Sequence, residues 1–304
     1  MTSPSGLSAT WLNYGATLQK LICPDGTNVV LGFDDPFAYL NNPAFLGGTI
    51  GPVANRIRGG AFALGNKTYH TDPDDGPNTL HGGSAGFHKK TWDYAVEGDA
   101  LGFFLDLEDG DGGFPGQREV SLIIHLADNA LRVEWAVETD KDTVLNMTLH
   151  PYFNMSGDPD QPIDNHALQS DASHFIPHDA AHAPIGEMIN VAGTNLDFTD
   201  PDEVGSRVID HHLMVPGGQL RELAALTDGV RTLFVNSDAP GFQLFTGETL
   251  GDAGFVPRAG LAIEPQFPPD DINQRGDESE TILKAGDTAH GIIEYILHGP
   301  GLPR

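Results

Sequence analysis

Two titratable side chains stand where apolar segments end, and each could exchange protons with a small ligand. His150 follows the alternating segment of residues 145–149, and an imidazole gains or loses a proton near neutral pH. Glu264 follows the apolar run of residues 261–263, where poor solvation would raise the pKa of its carboxyl toward the range of a general base. Each also has a structural interpretation, because a buried histidine can bond a backbone carbonyl and a buried glutamate can bond backbone amides.

The residues after His150 add the other groups that a sugar site needs. Tyr152 and Phe153 offer flat apolar faces, and Asn154 and Ser156 offer hydrogen-bonding groups. Sites for small polar ligands combine apolar walls with a few convergent polar groups of this kind. This stretch therefore favours a polar-ligand site, provided that partners come from elsewhere in the chain.

Glycines surround two further groups of candidates. They flank Asn55 and Arg56 within residues 47–62, and Gly82 and Gly83 follow His81. A phosphate loop is disfavoured, because no Gly-Lys-Ser/Thr follows and no helical pattern begins here. Two interpretations of Arg56 stay open: it is solvated in a turn, or it binds a ligand through its planar fork. His81 likewise either packs within its loop or binds a ligand, since glycine lets backbone or ligand approach closely.

Three other histidines are spaced like metal ligands on a helix. His174, His178 and His182 fall every four residues. Pro177 and Pro184 disfavour the helix that would align them, so we do not expect a metal site there.

Short strands must position the candidate side chains. Gly and Pro are abundant (37 and 22 residues), and apolar runs with little helical periodicity recur between turn-forming residues, which favours an all-β protein. Alternation from Tyr94 to Val144 predicts successive antiparallel strands. Residues 145–149 and 261–263 are predicted strands, and we expect the second to end before Pro265, because proline cannot continue a central strand. Taken alone, Asp210-His211-His212 favours a solvated turn at the start of a strand.

Composition limits the class of ligand. The chain of 304 residues has 16 basic and 43 acidic side chains and a net charge of −27, which disfavours nucleic acid, anionic membranes and highly anionic ligands. We expect a neutral or cationic ligand. Cys23 is the one cysteine, so neither a disulfide within the chain nor a cysteine metal site is expected. No leader pattern and no membrane-length apolar run is present, and we expect a cytoplasmic protein.

Six separate segments resemble one family, the aldose 1-epimerases or galactose mutarotases. Order and approximate spacing agree with the family from about residue 9 to 297. The first segment carries the family's glycine, its Ala-Asn-Arg-Ile core and the Gly-x-Phe that follows, and the second carries Leu-His-Gly-Gly and a later Trp. The other four carry His-x-Tyr-Phe-Asn, an Asp-His pair, Pro-Gly-x-Gln and Glu-x-Gln-x-x-Pro-Asp. In this sequence they are Gly51 to Phe62, Leu80 to Trp92, His150 to Asn154, Asp210-His211, Pro240 to Gln243 and Glu264 to Asp270.

The resemblance implies a fold and a set of roles. The fold would be a large antiparallel β-sandwich of the galactose mutarotase-like supersandwich type, with residues 1–304 in one domain. Glu264 would be the general base and His150 the general acid for a monosaccharide substrate, in a monomer or homodimer that needs no metal and no organic cofactor. The sugar would be bound by Asn55, Arg56, His81, Tyr152, Asp210 and Gln243.

The implied reaction suits these residue types. Glu264 would take the proton of the anomeric hydroxyl while His150 protonates the ring oxygen, which opens the pyranose to the free aldehyde. Rotation and closure with the roles reversed would give the other anomer. No group is transferred and no redox step occurs, so two titratable side chains suffice.

The sequence departs from the usual family pattern at three prolines. Pro52 replaces a common arginine, Pro151 follows the proposed acid and Pro265 follows the proposed base. A residue before proline is held in extended backbone geometry. We therefore expect His150 and Glu264 to lie outside helical backbone and to be stiffened there, and we leave the identity of the aldose open.

Four alternatives remain. A hexose-phosphate epimerase would call for an arginine cluster, and the 10 arginines of this chain form none in the sequence. An epimerase for a pentose, or a noncatalytic sugar-binding or sugar-sensing protein of the same fold, is compatible with the same motifs. A glycoside hydrolase would need two flanking carboxylates, for which Asp210 and Glu264 are the candidates.

Overall fold

Antiparallel strands dominate the structure, a computed structural model that describes residues 1–303. The predicted all-β class is confirmed, and one α-helix of five residues, α1 (Asp271–Arg275), occurs within those residues. The structure describes every residue of the predicted 1–304 domain except the last. No helix in residues 1–303 combines the length and the apolar character needed to cross a membrane.

The strands are numbered in chain order. They are β1 (Ser8–Leu12), β2 (Thr17–Ile22), β3 (Thr49–Ile50), β4 (Arg56–Ile57), β5 (Ala61–Leu64), β6 (Lys67–His70), β7 (Thr79–Leu80), β8 (Asp93–Glu97), β9 (Ala100–Leu107), β10 (Arg118–Ala127), β11 (Ala130–Thr139), β12 (Thr143–Val144), β13 (Thr148–Leu149), β14 (Tyr152–Phe153), β15 (Ala167–Gln169), β16 (His174–Ile176), β17 (Ile189–Asn190), β18 (Asp202–Glu203), β19 (Asp210–Met214), β20 (Arg221–Thr227), β21 (Thr232–Ser237), β22 (Gly241–Phe245), β23 (Leu261–Gln266), β24 (Ile282–Leu283) and β25 (Thr288–His298). Short 3₁₀ turns cover Pro36–Asn41, Arg58–Gly60, Gly83–Ala85, Phe87–Lys89, Asp111–Gly113, Ile163–Asn165, Glu248–Ala253 and Gly276–Glu278.

The larger sheet has nine strands in the order β18-β15-β20-β21-β25-β11-β10-β9-β8. The alternation from Tyr94 to Val144 gives the antiparallel strands β8 to β11, as predicted. Along β10, Val120, Leu122 and Ile124 are buried while the residues between them are at least partly exposed. This period of two is typical of a sheet with one face on the core.

The second sheet has six strands in the order β14-β23-β22-β19-β16-β17, and it carries the candidate site. Leu244 and Ile263 belong to the same hydrophobic cluster as Leu122 and Val133 of the larger sheet. One face of the six-stranded sheet therefore packs on the core. Because side chains alternate along a strand, the residues next to Leu244 in β22 and next to Ile263 in β23 face the opposite side of the sheet. The candidate site lies on that side.

The strand that carries Glu264 continues further than we predicted. Strand β23 runs through Pro265 to Gln266, and Pro265 lies opposite Phe242 of β22. On its other side β14 pairs only with Leu261 and Ala262. Proline is tolerated where a strand has a neighbour on one side, because no ladder hydrogen bond is lost there.

The segment before His150 is less regular than its alternation suggested. Only Thr143–Val144 and Thr148–Leu149 form strands there, of two residues each, and every residue from 143 to 150 is buried. Asn146 lies between them, and its side chain bonds the backbone N–H and carbonyl of Phe267 at 2.9 and 3.0 Å. Because the segment is packed on all sides, its alternation does not separate core from solvent.

Candidate active site

All eight predicted site residues line one cavity. Its volume is about 430 Å³, within the range of roughly 300–1,000 Å³ that is typical of small-molecule sites. The predicted members are Asn55, Arg56, His81, His150, Tyr152, Asp210, Gln243 and Glu264.

Strand pairing brings three of these residues to the same place. Gln243 of β22 lies directly opposite Glu264 of β23 and opposite His212 of β19. Residues opposite each other in a ladder share a face, as do residues two apart in one strand. Asp210, Gln243 and Glu264 therefore project from one face of the six-stranded sheet. Asp210 stands at the start of β19, as its local pattern predicted, but the expected solvated turn is wrong, because Asp210 lines the cavity.

His150 and Glu264 form a buried pair at the floor of the cavity. The His150 Nε2 atom lies 3.5 Å from Glu264 Oε1, and the side chains are only 4% and 2% exposed. His150 Nδ1 and Glu264 Oε2 have no hydrogen-bond partner among residues 1–303. Buried polar atoms are rarely left unbonded in a folded protein, so these atoms are suited to contacts with a polar ligand.

The backbone at the pair is not part of a helix, as the prolines predicted. Glu264 lies within β23. His150 exchanges backbone hydrogen bonds with its neighbours, donating to the Gly48 carbonyl at 3.0 Å and accepting from the Gly47 N–H at 2.9 Å. Both residues lie outside any helix.

Burial shifts both pKa values of the pair in the direction that favours the uncharged side chain. The pKa of Glu264 is raised well above its ordinary value by desolvation and then by the negative charge of Asp210. Desolvation lowers the pKa of His150 to about 4. The protonated carboxyl and the neutral imidazole are therefore the favoured forms of the pair in the cavity without a ligand. Burial also raises the pKa of Tyr152 far above its usual range, so its hydroxyl keeps its proton.

His81 is tied to the segment that carries Asn55. The Asn55 backbone N–H donates to His81 Nδ1 at 3.1 Å, and the His81 backbone N–H donates to the Asn55 carbonyl at 3.0 Å. Nδ1 is therefore an acceptor, and the neutral ring carries its proton on Nε2. Desolvation, aided by the neighbouring His150 and His88, holds the pKa of His81 well below its ordinary value. His81 is thus a neutral hydrogen-bond donor.

Of the two interpretations of Arg56, the one that places it in solvent is wrong. Its side chain is 13% exposed, and its Nε atom donates to Asp75 Oδ2 at 2.6 Å. Asp75 thereby holds the guanidinium against the cavity wall. Across the cavity, Gln243 Nε2 donates to Asp210 Oδ1 at 2.6 Å, while the buried Gln243 Oε1 has no partner among the described residues.

Left-handed backbone is concentrated around the cavity. Eight non-glycine residues within the described chain have positive φ, and four of them line the cavity: Phe45, Asn55, His81 and His182. Such conformations cost free energy and are often found at active sites and ligand-binding sites.

The glycine after His81 makes room for backbone rather than for a ligand. A Cβ on Gly82 would lie 2.4 Å from the Gly51 carbonyl oxygen, and its φ is +86°. We expect Gly82→Ala to lower the free energy of unfolding by about 2–4 kcal/mol, since left-handed strain and overpacking add. Gly98→Ala is the matched control, because Gly98 also has positive φ but nothing within 4 Å. Chemical denaturation giving equal losses for both variants would contradict the clash.

Several residues of the cavity were not predicted. They are Pro43, Ala44, Phe45, Leu80, His182, Val208, Phe245, Glu248, Thr249 and Asp252. The ring of Phe45 packs 4.7 Å from His81 and 5.7 Å from His150 between ring centroids. A lone Phe in a loop carries no pattern that indicates such a place. His182 was considered only as a helical metal ligand, and it lies instead in a turn after β16.

One group of side chains in the described residues could hold a metal ion. Ligand atoms of His81, His150 and Glu264 lie within 4.8 Å of one another. Because the Asn55 N–H occupies His81 Nδ1, only Nε2 of that ring is free for a ligand. The three residues also form the core of the sugar site that the resemblance implies. The reaction implied by that resemblance needs no metal.

The structure is that of an all-β protein with a polar cavity around the buried pair of His150 and Glu264. The family model described as aldose 1-epimerase matches residues 1–295. The chain belongs to the aldose 1-epimerase family, as the six motifs predicted.

Two curated proteins of the family match this chain in sequence over most of their length. The chain is 32% identical to the aldose 1-epimerase of Escherichia coli over 319 aligned positions, covering 96% of this chain and 92% of that protein. It is 32% identical to the galactose mutarotase of Bos taurus over 284 positions, covering 86% and 83%.

Solved structures share the fold. The aldose epimerase homologue from C. elegans superposes with a TM-score of 0.90 at 26% identity, covering 98% of both chains. The galactose 1-epimerase from Lactobacillus acidophilus superposes with a TM-score of 0.86 at 27% identity, covering 97% of this chain and 92% of that one. The predicted mutarotase-like sandwich is confirmed.

Proposed function

We propose that the chain is an aldose 1-epimerase that interconverts the α and β anomers of a free aldose. The observation that carries the proposal is the buried pair of His150 and Glu264, 3.5 Å apart, with unbonded polar atoms in a cavity of suitable size. Family membership supports the same reaction.

Ring opening needs one base and one acid. Glu264 as carboxylate removes the proton of the anomeric hydroxyl, and His150 as imidazolium protonates the ring oxygen, so that the ring bond breaks and the aldehyde forms. Rotation about the bond between the first two carbons exposes the other face of the carbonyl. Reversal of the two proton transfers closes the ring to the opposite anomer.

The reacting form of the pair contains the same number of protons as the resting form. Burial favours protonated Glu264 and neutral His150, whereas the reaction starts from carboxylate and imidazolium. Movement of one proton between the two side chains connects the forms. A hydroxyl that donates to Glu264 stabilises the carboxylate, and the imidazolium is stabilised by the adjacent negative charge. Sugar binding thus prepares the pair for reaction.

The pH profile should reflect this shared proton. Below about pH 4, the pKa of His150, a second proton enters and the base is lost. As the pH rises the pair loses its only proton, and this occurs at a higher pH than for an ordinary carboxyl because desolvation raises the pKa of Glu264. We expect kcat/KM to be level between these two losses. Polarimetry corrected for buffer catalysis tests this; a single transition at roughly pH 6.5, the value of an unperturbed histidine, would contradict it.

The other predicted residues bind the sugar in this proposal. His81 donates from Nε2, Arg56 donates through the guanidinium that Asp75 holds, and Asp210 and Gln243 bind hydroxyl groups as a hydrogen-bonded pair. Asn55 binds a hydroxyl beside Arg56, and Tyr152 lies near the ring. These side chains offer both donors and acceptors, which suits hydroxyl groups because a hydroxyl also donates and accepts hydrogen bonds.

Charge supports a neutral or cationic aldose over a sugar phosphate. The cavity is lined by four carboxyl side chains, those of Asp210, Glu248, Asp252 and Glu264. Arg56 is the one arginine or lysine in the described lining, and its charge is already paired with Asp75. A phosphate calls for several unpaired donors of positive charge.

Polarimetry of freshly dissolved sugars tests the proposal. The wild-type protein should accelerate the approach to the final rotation for at least one of α-glucose, α-galactose and α-xylose without changing that final value. The fastest sugar identifies the preferred aldose. Binding without acceleration for every sugar would favour the noncatalytic sugar-binding alternative.

We also propose that residues 1–304 act as one domain in the cytoplasm, as a monomer or homodimer. The main hydrophobic cluster draws on residues from Leu7 to Leu297, which supports one domain. Cys23, the lone cysteine, is buried and unpaired, which is compatible with a reducing compartment.

A further inference from the structure

A small hairpin after β16 contributes one residue, His182, to the lining of the cavity. We name residues 177–185 the flap hairpin. Asp179 organises its turn: the Asp179 N–H donates to the Ala183 carbonyl at 3.0 Å and the His182 N–H donates to the Asp179 carbonyl at 2.9 Å. The Asp179 carboxylate also accepts from the Ala181 N–H at 2.9 Å. The turn is therefore closed by its own hydrogen bonds.

His182 occupies a position in this turn that suits glycine better. Its φ is +55°, and the left-handed residue of such a hairpin turn is normally Gly, Asn or Asp. Histidine there carries a backbone strain that glycine would avoid. Strain of this kind, kept at the wall of a cavity, points to a role for the side chain.

The imidazole of His182 reaches the proposed sugar site. It lines the cavity, and its Nδ1 atom lies 3.0 Å from Asp210 Oδ2. The other oxygen of Asp210 accepts from Gln243 Nε2 at 2.6 Å. The His182 side chain is 44% exposed, so one edge of the ring remains open to a ligand in the cavity.

Contacts outside the cavity hold the flap hairpin in place. Arg58 donates to Asp179 Oδ2 at 2.9 Å and to the Pro184 carbonyl at 2.8 Å. Asn78 Nδ2 donates to the Ala181 carbonyl at 3.3 Å. Arg58 follows β4 and Asn78 precedes β7, so the hairpin is tied to the segments that carry Arg56 and His81.

The ring itself is also oriented by packing. His182 and His178 lie 4.7 Å apart between centroids, and His178 and His211 lie 4.5 Å apart, with interplanar angles of 30° and 34°. His211 extends from β19, next to Asp210. A row of three mutually tilted rings thus runs from the strand to the hairpin and limits the rotation of His182.

We propose that His182 is a substrate-binding residue that, together with Asp210, contacts a sugar hydroxyl and helps to select the aldose. The inference rests on the proposed function and adds a specificity contact to it. Because His182 acts on a hydroxyl away from the His150 and Glu264 pair, its loss weakens sugar binding and leaves proton transfer intact.

Three variants test the contact. His182→Gly removes the imidazole and suits the left-handed position, so it should fold and unfold at a temperature no lower than wild type. His182→Asn also tolerates that position and retains hydrogen-bonding groups. Ala180→Gly is the matched control, because it loosens the same turn without removing a group that lines the cavity.

Polarimetry should separate binding from catalysis. For the preferred aldose, His182→Gly should raise KM about 10-fold, as expected for one lost hydrogen bond, with kcat within about 2-fold of wild type. The kcat/KM ratio between glucose and galactose should move toward unity. His182→Asn should recover part of the KM, and Ala180→Gly should match wild type. An unchanged KM in His182→Gly, a loss confined to kcat, or an equal effect of Ala180→Gly would each overturn the inference.

A binding measurement keeps this inference distinct from the proposed function. If wild type accelerates no sugar, the proposed reaction fails, and calorimetric titration with glucose and galactose then tests His182 directly. The Kd should again rise about 10-fold in His182→Gly and less in His182→Asn. Equal Kd values for wild type and His182→Gly would overturn the inference whether or not catalysis is found.

Discussion

Replacing Glu264 with glutamine is expected to lower kcat for mutarotation by a factor of about 100 to 10,000, the range typical of removing a general base. The glutamine amide keeps the shape of the side chain but cannot accept the anomeric proton. Burial disfavours the charged carboxylate, so the variant should be no less stable than wild type. Polarimetric rates on the preferred aldose and thermal unfolding of the same samples provide both values.

An exposed glutamate gives the control for this variant. Glu119 lies on the solvent side of β10 in the nine-stranded sheet, which is not the sheet that carries the site. Glu119→Gln makes the same replacement of a carboxyl by an amide and should leave kcat within about 2-fold of wild type. Near-normal activity in Glu264→Gln would assign the base to another group.

Replacing His150 with asparagine is expected to have the second large effect, again a loss of about 100-fold or more in kcat. Asparagine can occupy part of the site but cannot deliver a proton to the ring oxygen. The lost step is the transfer of a proton and not the binding of sugar, so KM should change far less than kcat. Steady-state polarimetry separates the two parameters.

His88 provides a matched control for the loss of an imidazole. Its ring packs edge-on against Phe45 at 5.0 Å, much as His81 does on the same phenyl ring, but it does not line the described cavity. Burial lowers its pKa to about 3, so it too is neutral. His88→Asn should affect stability and leave kcat nearly unchanged; comparable losses of kcat in both variants would point to a packing effect on Phe45.

The fold class followed from the sequence because strand alternation is a local property. Residues 94–144 show the period of two that β8 to β11 adopt. The end of β23 was predicted wrongly, because tolerance of Pro265 depends on how far the neighbouring strand β14 extends. That neighbour is distant in sequence, and no local pattern encodes its length.

The site was predictable to the extent that motifs carried it. His150 and Glu264 stood out from their local surroundings, whereas Asp210 alone favoured a solvated turn. Its place beside Gln243 arises from the pairing of β19 with β22, which only the assembled sheet determines. The family resemblance, and no local pattern, assigns Asp210 and Gln243 to the sugar.

His182 illustrates what neither local pattern nor motif could supply. Its spacing suggested a helix that the prolines disfavoured, and the structure places it in a hairpin turn with positive φ. The contact with Asp210 joins residues that are 28 positions apart in the sequence (210 − 182). Such a contact becomes visible only when loop and strand are seen together.

The most direct test of the central claim is magnetisation exchange between the α and β anomer signals of the preferred aldose at equilibrium, followed by proton NMR. Catalytic amounts of wild-type protein should produce exchange between the two signals without changing their ratio, and Glu264→Gln should produce exchange about 100-fold more slowly or slower still. Broadened sugar signals without exchange in the wild-type sample would contradict the account, because they would show a protein that binds the aldose and does not open its ring.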